Sequence, residues 1–483
     1  MGRNVGAMVA ASCTSAITGV ILMFWIPRLL SVDDFGYWRT FLLYSGYAGF
    51  LHLGLVDGAL LHWSQSLEKP VGASLFQAAK ALLLEHLVIG VLGLAFFLSP
   101  LAGRPHFCTI LCGLFGYALT FNLVGLAQVR LQAYNRFATV AVGMAGPGVL
   151  FVCAVAALHI RPLTLGKLVL AYLVAWAFTA ALLWTLAQRA EEAQKQKCAG
   201  GTSSHSGRAA LALSVDHVRA GWPIMLASTG YGVMQSADRI TVNLSRPIHD
   251  FAIYSLSQST IYVPIAIIIA VSRVAFSHFA VVGEEGRAGA YRGTVRVLTL
   301  LWSLLLPYFF VVEWVVQYFL PKYTPGLPAG RILLLSVLFL SLISIVQANT
   351  YALAGRQRQF FAGSLGAVAL AFATAWIGSR WLNSLAAVAW SQVLSAAIWW
   401  LGNEWAMRRE RLFPTREILR VLVTFFLSTG GLYLAASWSK EVLMKISLYC
   451  LLLILPVTVL YWSLLRDGAV AFQSLFRRPV TQR

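Results

Sequence analysis

Apolar residues in this chain come in long runs rather than alternating with polar ones. Residues 114–129 (LFGYALTFNLVGLAQV), 262–271 (YVPIAIIIAV) and 446–465 (ISLYCLLLILPVTVLYWSLL) hold no charged side chain. Spanning a bilayer as a helix takes about 20 such residues. A helix is also the element that satisfies its own backbone hydrogen bonds where no water is present. At that length the pattern predicts about fourteen spans. They fall near 5–27, 36–61, 75–99, 107–129, 137–159, 164–188, 217–244, 251–276, 295–320, 328–353, 361–380, 384–407, 418–438 and 442–465. The longest polar interruption, 189–216, is charged and then rich in Gly and Ser, and reads as a cytoplasmic linker. The expected fold is an all-α polytopic membrane protein with two six-helix lobes, 1–188 and 217–407. A further helix hairpin and a basic tail follow over 408–483.

Composition agrees, with 59% hydrophobic and only 11% charged residues, where a soluble domain carries roughly a quarter charged. Charge placement then sets the orientation. With the N-terminus inside, about 25 Lys and Arg fall on cytoplasmic segments and about 11 outside, so both termini are expected in the cytoplasm. The net charge of +19 therefore reflects topology and attraction to anionic membrane lipids. No soluble basic domain exists to grip nucleic acid. The opening MGRNVG lacks the Ser or Thr of a myristoylation site, and the apolar sequence continues well past Cys13, so 5–27 reads as an uncleaved span. Five of the six cysteines lie in apolar spans, and Cys108 and Cys112 lack His or acidic partners. They read as packing residues rather than metal ligands.

Two short stretches echo each other. SVDDFGYW (31–38) and PIHDFAIY (247–254) each hold Asp-Phe, which occurs nowhere else, with an aromatic three residues further on. Setting Asp34 on Asp250 continues without a gap: Asp57 falls on Arg273, and His62 on His278, each His followed by an aromatic. With an even number of spans per lobe, such a repeat is parallel, related by an axis along the membrane normal.

These residues carry a resemblance. PRLLSVDDFGYW (27–38) resembles the junction of the first two spans in polysaccharide transporters and Wzx-type flippases of the multidrug/oligosaccharidyl-lipid/polysaccharide exporter superfamily. SADRITV (236–242) and FAIYSLSQS (251–259) resemble the start of their second lobe, with Ala252 and Ile253 where the family carries Gly before the tyrosine. The resemblance covers roughly 20–65 and 215–280. It implies two six-helix lobes around a central cavity, in the bacterial inner membrane. The implied activity is alternating-access transfer of an undecaprenyl-pyrophosphate-linked oligosaccharide, an O-antigen, capsule or exopolysaccharide unit. It also implies a transporter rather than an enzyme, with no cofactor beyond a coupling ion, H+ or Na+. Polysaccharide polymerase and glycosyltransferases are the implied partners, besides membrane lipids.

Ionisable residues inside spans are costly and usually face a cavity or each other. Arg28, Arg39, Arg239 and Arg273 are the candidates for binding pyrophosphate, since guanidinium offers paired donors. Arg28 also fits simple snorkelling to the interface, and Asp238–Arg239 a packing charge pair. Asp57, Asp238, Glu85 and His62 are the candidates for gating or coupling. Asp57 and Arg273, opposite in charge at equivalent positions, are expected to pair across the cytoplasmic mouth when the carrier faces outward. His52, His86 and Glu313 are weaker candidates of the same kind. Three other functions compete. A drug or cation antiporter would favour buried carboxylates over arginines, and a lipid II flippase shares the span count and cationic residues. A membrane glycosyltransferase or polymerase would need a large external catalytic loop, whereas the external links here are under about twelve residues.

Overall fold

A computed structural model describes residues 2–65, 75–98, 103–159, 162–197, 207–265, 284–407 and 415–477. Among these the chain is helical throughout, without strands. The helices are α1 (Gly2–Leu29), α2 (Val32–Ser45), α3 (Leu55–Gln65), α4 (Leu75–Leu94), α5 (Phe107–Ala133), α6 (Phe137–Leu158) and α7 (Leu165–Lys197). They continue as α8 (Gly207–Met234), α9 (Ala237–Ser245), α10 (Ile248–Ser259), α11 (Glu284–Leu305), α12 (Tyr308–Phe319) and α13 (Leu327–Ser341). The last are α14 (Ala348–Leu353), α15 (Gln357–Trp376), α16 (Leu385–Met407), α17 (Thr415–Trp438) and α18 (Val442–Arg477). Among the described residues ten helical stretches are long and apolar enough to cross a membrane, and eleven with the α18 pair that bends by 44°. This is a polytopic α-helical membrane protein.

The fourteen expected spans exceed that number at three places, two with a physical cause and one that leaves the described residues. The span 36–61 is broken: α2 ends at Ser45, a short 3-10 turn covers Ala48–His52, and α3 starts at Leu55. The break needs left-handed backbone at Leu53 (φ 43°) and Gly54 (φ 91°), which ends a helix and which Gly alone adopts without strain. The span 217–244 is two helices, α8 and α9, separated at Gln235–Ser236, and α8 carries Asp216, His217 and Arg219. The span 251–276 runs into residues outside the described set. The expected linker is shorter than read, because α7 continues to Lys197 and α8 begins at Gly207.

DDFGYW, expected at the junction of the first two spans, is the opening of α2. Ser31 caps it, its Oγ accepting from the Asp34 amide at 3.0 Å and donating to Asp34 Oδ2 at 2.8 Å. Asp33 and Asp34 in the first turn suit the positive end of the helix dipole. HDFAIY opens α10, which follows Pro247 and carries Asp250 in its first turn.

The chain divides into two compact units, Met1–Ser255 and Leu256–Arg483. In the first, α2 presents different residues to different neighbours. Trp38 and Phe41, 2% and 0% exposed, enter an aromatic cluster with Tyr117, Phe151 and Tyr172 at centroid separations of 5.0–6.3 Å. Gly36 lies against α10, where a β-carbon would come 2.7 Å from the Ile248 carbonyl oxygen. Helix association in lipid gains little from the hydrophobic effect and depends on such close packing.

The tightest contact joins α3 to α8. A β-carbon on Gly58 would lie 1.8 Å from the His217 carbonyl oxygen, on Gly54 2.5 Å from the Trp222 nitrogen, and on Gly221 1.9 Å from the Gly54 oxygen. Gly54 and Gly58 form a Gly-x-x-x-Gly pair, which lets two backbones touch. By this contact, and by α10 lying on α2, the compact division falls at Ser255 rather than at the linker.

The second unit is built on α13, in which 13 of 15 residues are buried. A π-helical turn, Leu342–Gln347, leads from it into α14. Trp302, Phe339, Trp400 and Phe425 stack beside it at 5.0–5.7 Å. The α17–α18 hairpin is fastened by Tyr449, which donates to the Ser303 carbonyl at 2.7 Å, and by Lys445 at 3.1 Å from Glu313. Glu313 is also 3.5 Å from Arg331. Its expected coupling role thus has a structural alternative in this clamp.

Substituting Gly58→Ala is expected to destabilise the protein by about 3 kcal/mol through overpacking, read as a lower thermal midpoint. Gly90→Ala, where a β-carbon meets nothing within 4 Å, should leave the midpoint unchanged or raise it.

Candidate functional site

The densest set of expected site residues lies where α2, α9 and α10 meet. Arg39, on the face of α2 away from the aromatic cluster, donates from Nη2 to the Ser255 carbonyl at 3.1 Å and sits 5.9 Å from the Phe35 ring centre. One residue on, Thr40 Oγ1 accepts from Asn243 Nδ2 at 2.8 Å, and Asn243 Oδ1 accepts from the Tyr44 hydroxyl at 3.1 Å. This polar ladder ties α2 to α9. On α9, Asp238 is 2% exposed; its Oδ2 accepts from the Tyr254 hydroxyl and its Oδ1 from the Arg239 amide, each at 2.7 Å. Arg239 Nη2 donates to Ser236 Oγ at 3.2 Å. A buried carboxylate costs several kcal/mol unless such donors surround it.

Two contacts join residues at the offset of the sequence echo. Asp33 Oδ1 lies 3.2 Å from His249 Nδ1, and Arg39 bonds Ser255, both pairs separated by 216 positions, the offset that sets Asp34 on Asp250.

The other expected residues are dispersed. Arg28 is exposed in the last turn of α1. Asp57 is half-buried in the first turn of α3, inside the glycine pair. His62, on the same helix, donates from Nδ1 to the Gly58 carbonyl at 3.0 Å, and its ring lies tilted against His217 with centroids 4.7 Å apart. This places it at the α3–α8 packing contact. Glu85 lies on α4, and among the described residues neither buried carboxylate oxygen has a hydrogen-bond partner. Arg273, and with it the expected pairing to Asp57, lies outside the described residues. His86 accepts from Asn122 Nδ2 at 3.1 Å, and Asn122 also donates to the Ala48 carbonyl at 2.9 Å. These bonds hold the 3-10 turn that interrupts the second expected span. His52 belongs to that turn, its Nδ1 accepting from the Gly54 amide at 3.1 Å.

Sequence reasoning passed over Thr40, Asn243 and Tyr254. Asn243 interrupts an apolar run (TVNLS), which is the signal it offered. It also missed a cavity of about 370 Å3 within the first unit, lined by Ser12 and Ser15 of α1, Phe121 and Gln128 of α5, Met144 of α6 and Trp176 of α7. Among the described residues no group of three or more His, Cys, Asp or Glu could hold a metal.

No protein-family model matches the sequence, and no curated protein sequence does so. Solved structures do match in shape. The chain is similar to a lipid II flippase MurJ in an inward closed conformation, with TM-score 0.68 and 11% identity, over 96% of this chain and 100% of that one. It is similar to a multidrug resistance MATE family transporter of the MOP superfamily in its inward-facing conformation, with TM-score 0.54 and 11% identity, over 83% and 98%. The outward-facing conformation of such a transporter gives TM-score 0.54 and 13% identity, over 85% and 96%. The fold is therefore of the MOP type, the fold of these flippases and exporters.

Replacing Tyr254 with Phe strips one donor from buried Asp238 and is expected to cost about 1–3 kcal/mol, measured by thermal or denaturant unfolding. Tyr318→Phe, at a side chain 72% exposed, should change stability by under about 0.5 kcal/mol.

Proposed function

We propose that this protein is a flippase that moves an undecaprenyl-pyrophosphate-linked oligosaccharide across the bacterial inner membrane by alternating access, without chemistry of its own. The observation that supports this most is the fold match to a lipid II flippase over 96% of this chain and all of that one. Matches to the drug exporters cover 83–85%. The shortfall is about the length of the α17–α18 hairpin, which favours a lipid-linked substrate over a drug.

The residues suit such cargo. Arg39 is held by the Ser255 carbonyl and the Phe35 ring, so its guanidinium is oriented before a phosphate arrives, which lowers the cost of binding. Trp176 and Phe121 beside Gln128, Ser12 and Ser15 give the cavity in the first unit an aromatic wall with amide and hydroxyl groups. That mixture suits a sugar ring, which has both apolar faces and hydroxyls. Glu85, lacking a hydrogen-bond partner among the described residues, is the carboxyl best placed to take a coupling H+ or Na+. Glycosyltransferases and a polymerase are the proposed partners before and after transfer.

The test is reconstitution into liposomes loaded with a fluorescent polyprenyl-pyrophosphate oligosaccharide, following its exposure to an external glycosidase. Transfer is expected from the wild type, with Arg39→Gln slowed about tenfold, the loss of one charge-assisted bond of roughly 1.4 kcal/mol. Arg28→Gln should change the rate less than threefold. Export of cationic dyes without movement of any lipid-linked sugar would sink the reading in favour of a drug antiporter. Selective transfer of lipid II would narrow it to that substrate.

A further inference from the structure

The seam between α11 and α17 carries more positive charge than its own contacts neutralise. Glu417, whose side chain is 6% exposed, accepts from Arg296 Nε at 3.1 Å, from Arg296 Nη2, and from Arg420 Nη1 at 2.6 Å to both oxygens. One helical turn from Arg296, on the same face of α11, stands Arg292, whose Nε donates to the Ala288 carbonyl at 3.0 Å. Beside Glu417 stands the exposed Arg416. Among the residues whose side chains are described at this seam, four guanidinium groups stand within a helical turn of one carboxylate, Arg296 and Arg420 bonded to it, a local charge of +3. Glu404, which Tyr291 and Gln347 bind, would lower this only to +2 if counted.

Two further facts bear on what completes the charge. Arg416 and Glu417 lie in the first turn of α17, where the helix dipole is itself positive. There a carboxylate is favoured and an unpaired arginine is not. The surrounding surface is apolar, with Leu419 60% and Val297 38% exposed on the same two helices. An anion that settles there must bring hydrocarbon with it. The Lys/Arg distribution puts this end of the helices on the cytoplasmic side, and basic pockets between spanning helices on that side hold phospholipid head groups.

We propose that the α11–α17 seam is a binding site for an anionic phospholipid of the inner leaflet. Arg292 and Arg420 grip the phosphodiester, and Arg416 takes the outer edge of the head group. Guanidinium forks match phosphate oxygens in pairs. The bound lipid fastens α17, and with it the C-terminal hairpin, to the second unit.

The experiment uses the full chain, purified and delipidated in an uncharged detergent. Phosphatidylglycerol or phosphatidylcholine is titrated in, and bound lipid is counted by native mass spectrometry. Phosphatidylglycerol is expected to bind at least tenfold more tightly. That preference should fall below threefold in the Arg292→Gln/Arg420→Gln double variant, and partly in Arg416→Gln, whose exposed side chain leaves the Glu417 contacts intact. A thermal midpoint for each variant shows that it is folded, and Arg416→Gln keeps the test decisive if the double variant is not. Equal binding of the two lipids overturns the proposal. So does displacement of phosphatidylglycerol by millimolar inorganic phosphate, which would mark a simple anion site. Stronger binding of a polyprenyl diphosphate would assign the seam to the transported lipid instead. None of these readings requires transport, so their failure leaves the flippase proposal standing, and the reverse also holds.

Discussion

Close approach of backbone to backbone, allowed by missing β-carbons, is the constraint on which the first unit depends. Gly54, Gly58 and Gly221 let α3 and α8 touch, and Gly36 lets α2 meet α10. The polar ladder through Thr40, Asn243 and Tyr44 works only at that spacing, because a side chain as short as Thr or Asn reaches its partner only when the helix axes are near. In lipid, where an unpaired polar group is costly and apolar contact with a neighbour gains little over contact with lipid, such contacts decide which helices associate.

The same closeness shows why charged residues can occupy this membrane protein. Asp238 is tolerated because Tyr254 and the Arg239 amide reach it, and Arg39 because a carbonyl and a ring hold it. Both rest on elements fixed elsewhere. Trp38 and Phe41 seat α2 in the aromatic cluster, which turns Arg39 toward α10. Arg39, the arginine proposed to bind the substrate, is thereby positioned through two aromatic residues of its own helix.

Much of the fold was legible, because twenty-residue apolar runs have only one solution in a bilayer. The interrupted helices were not. Leu53 in a left-handed conformation and the gap at Ser236 sit inside apolar stretches that a hydropathy window averages over, and their causes are contacts from distant parts of the chain. The Asp-Phe echo was legible in the sequence, and two contacts, Asp33–His249 and Arg39–Ser255, join residues at its offset. The gathering of Arg39, Asp238 and Arg239 around α2, α9 and α10 was foreseeable in part, since all three lie in the matching segments. Their partners were not, because Asn243 and Tyr254 look like ordinary helix residues until a neighbour is supplied. The Gly-x-x-x-Gly pair was in plain view in LGLVDG and went unread beside the charged Asp57 it contains.

The α3–α8 contact also bears on how the protein is made. The partner of Gly58 is His217, roughly 160 residues later in the chain. At the usual pace of translation, about 5–20 residues per second, that is on the order of ten to thirty seconds. Throughout that interval α3 is already made but has no α8 to receive its glycine face, and Asp57 stands within that face. The short broken helix therefore has to wait at the insertion machinery or the membrane surface, and it enters its final place only as α8 arrives. Assembly of the first unit is thus post-insertional at its centre, with the earliest helices completed by one of the later ones.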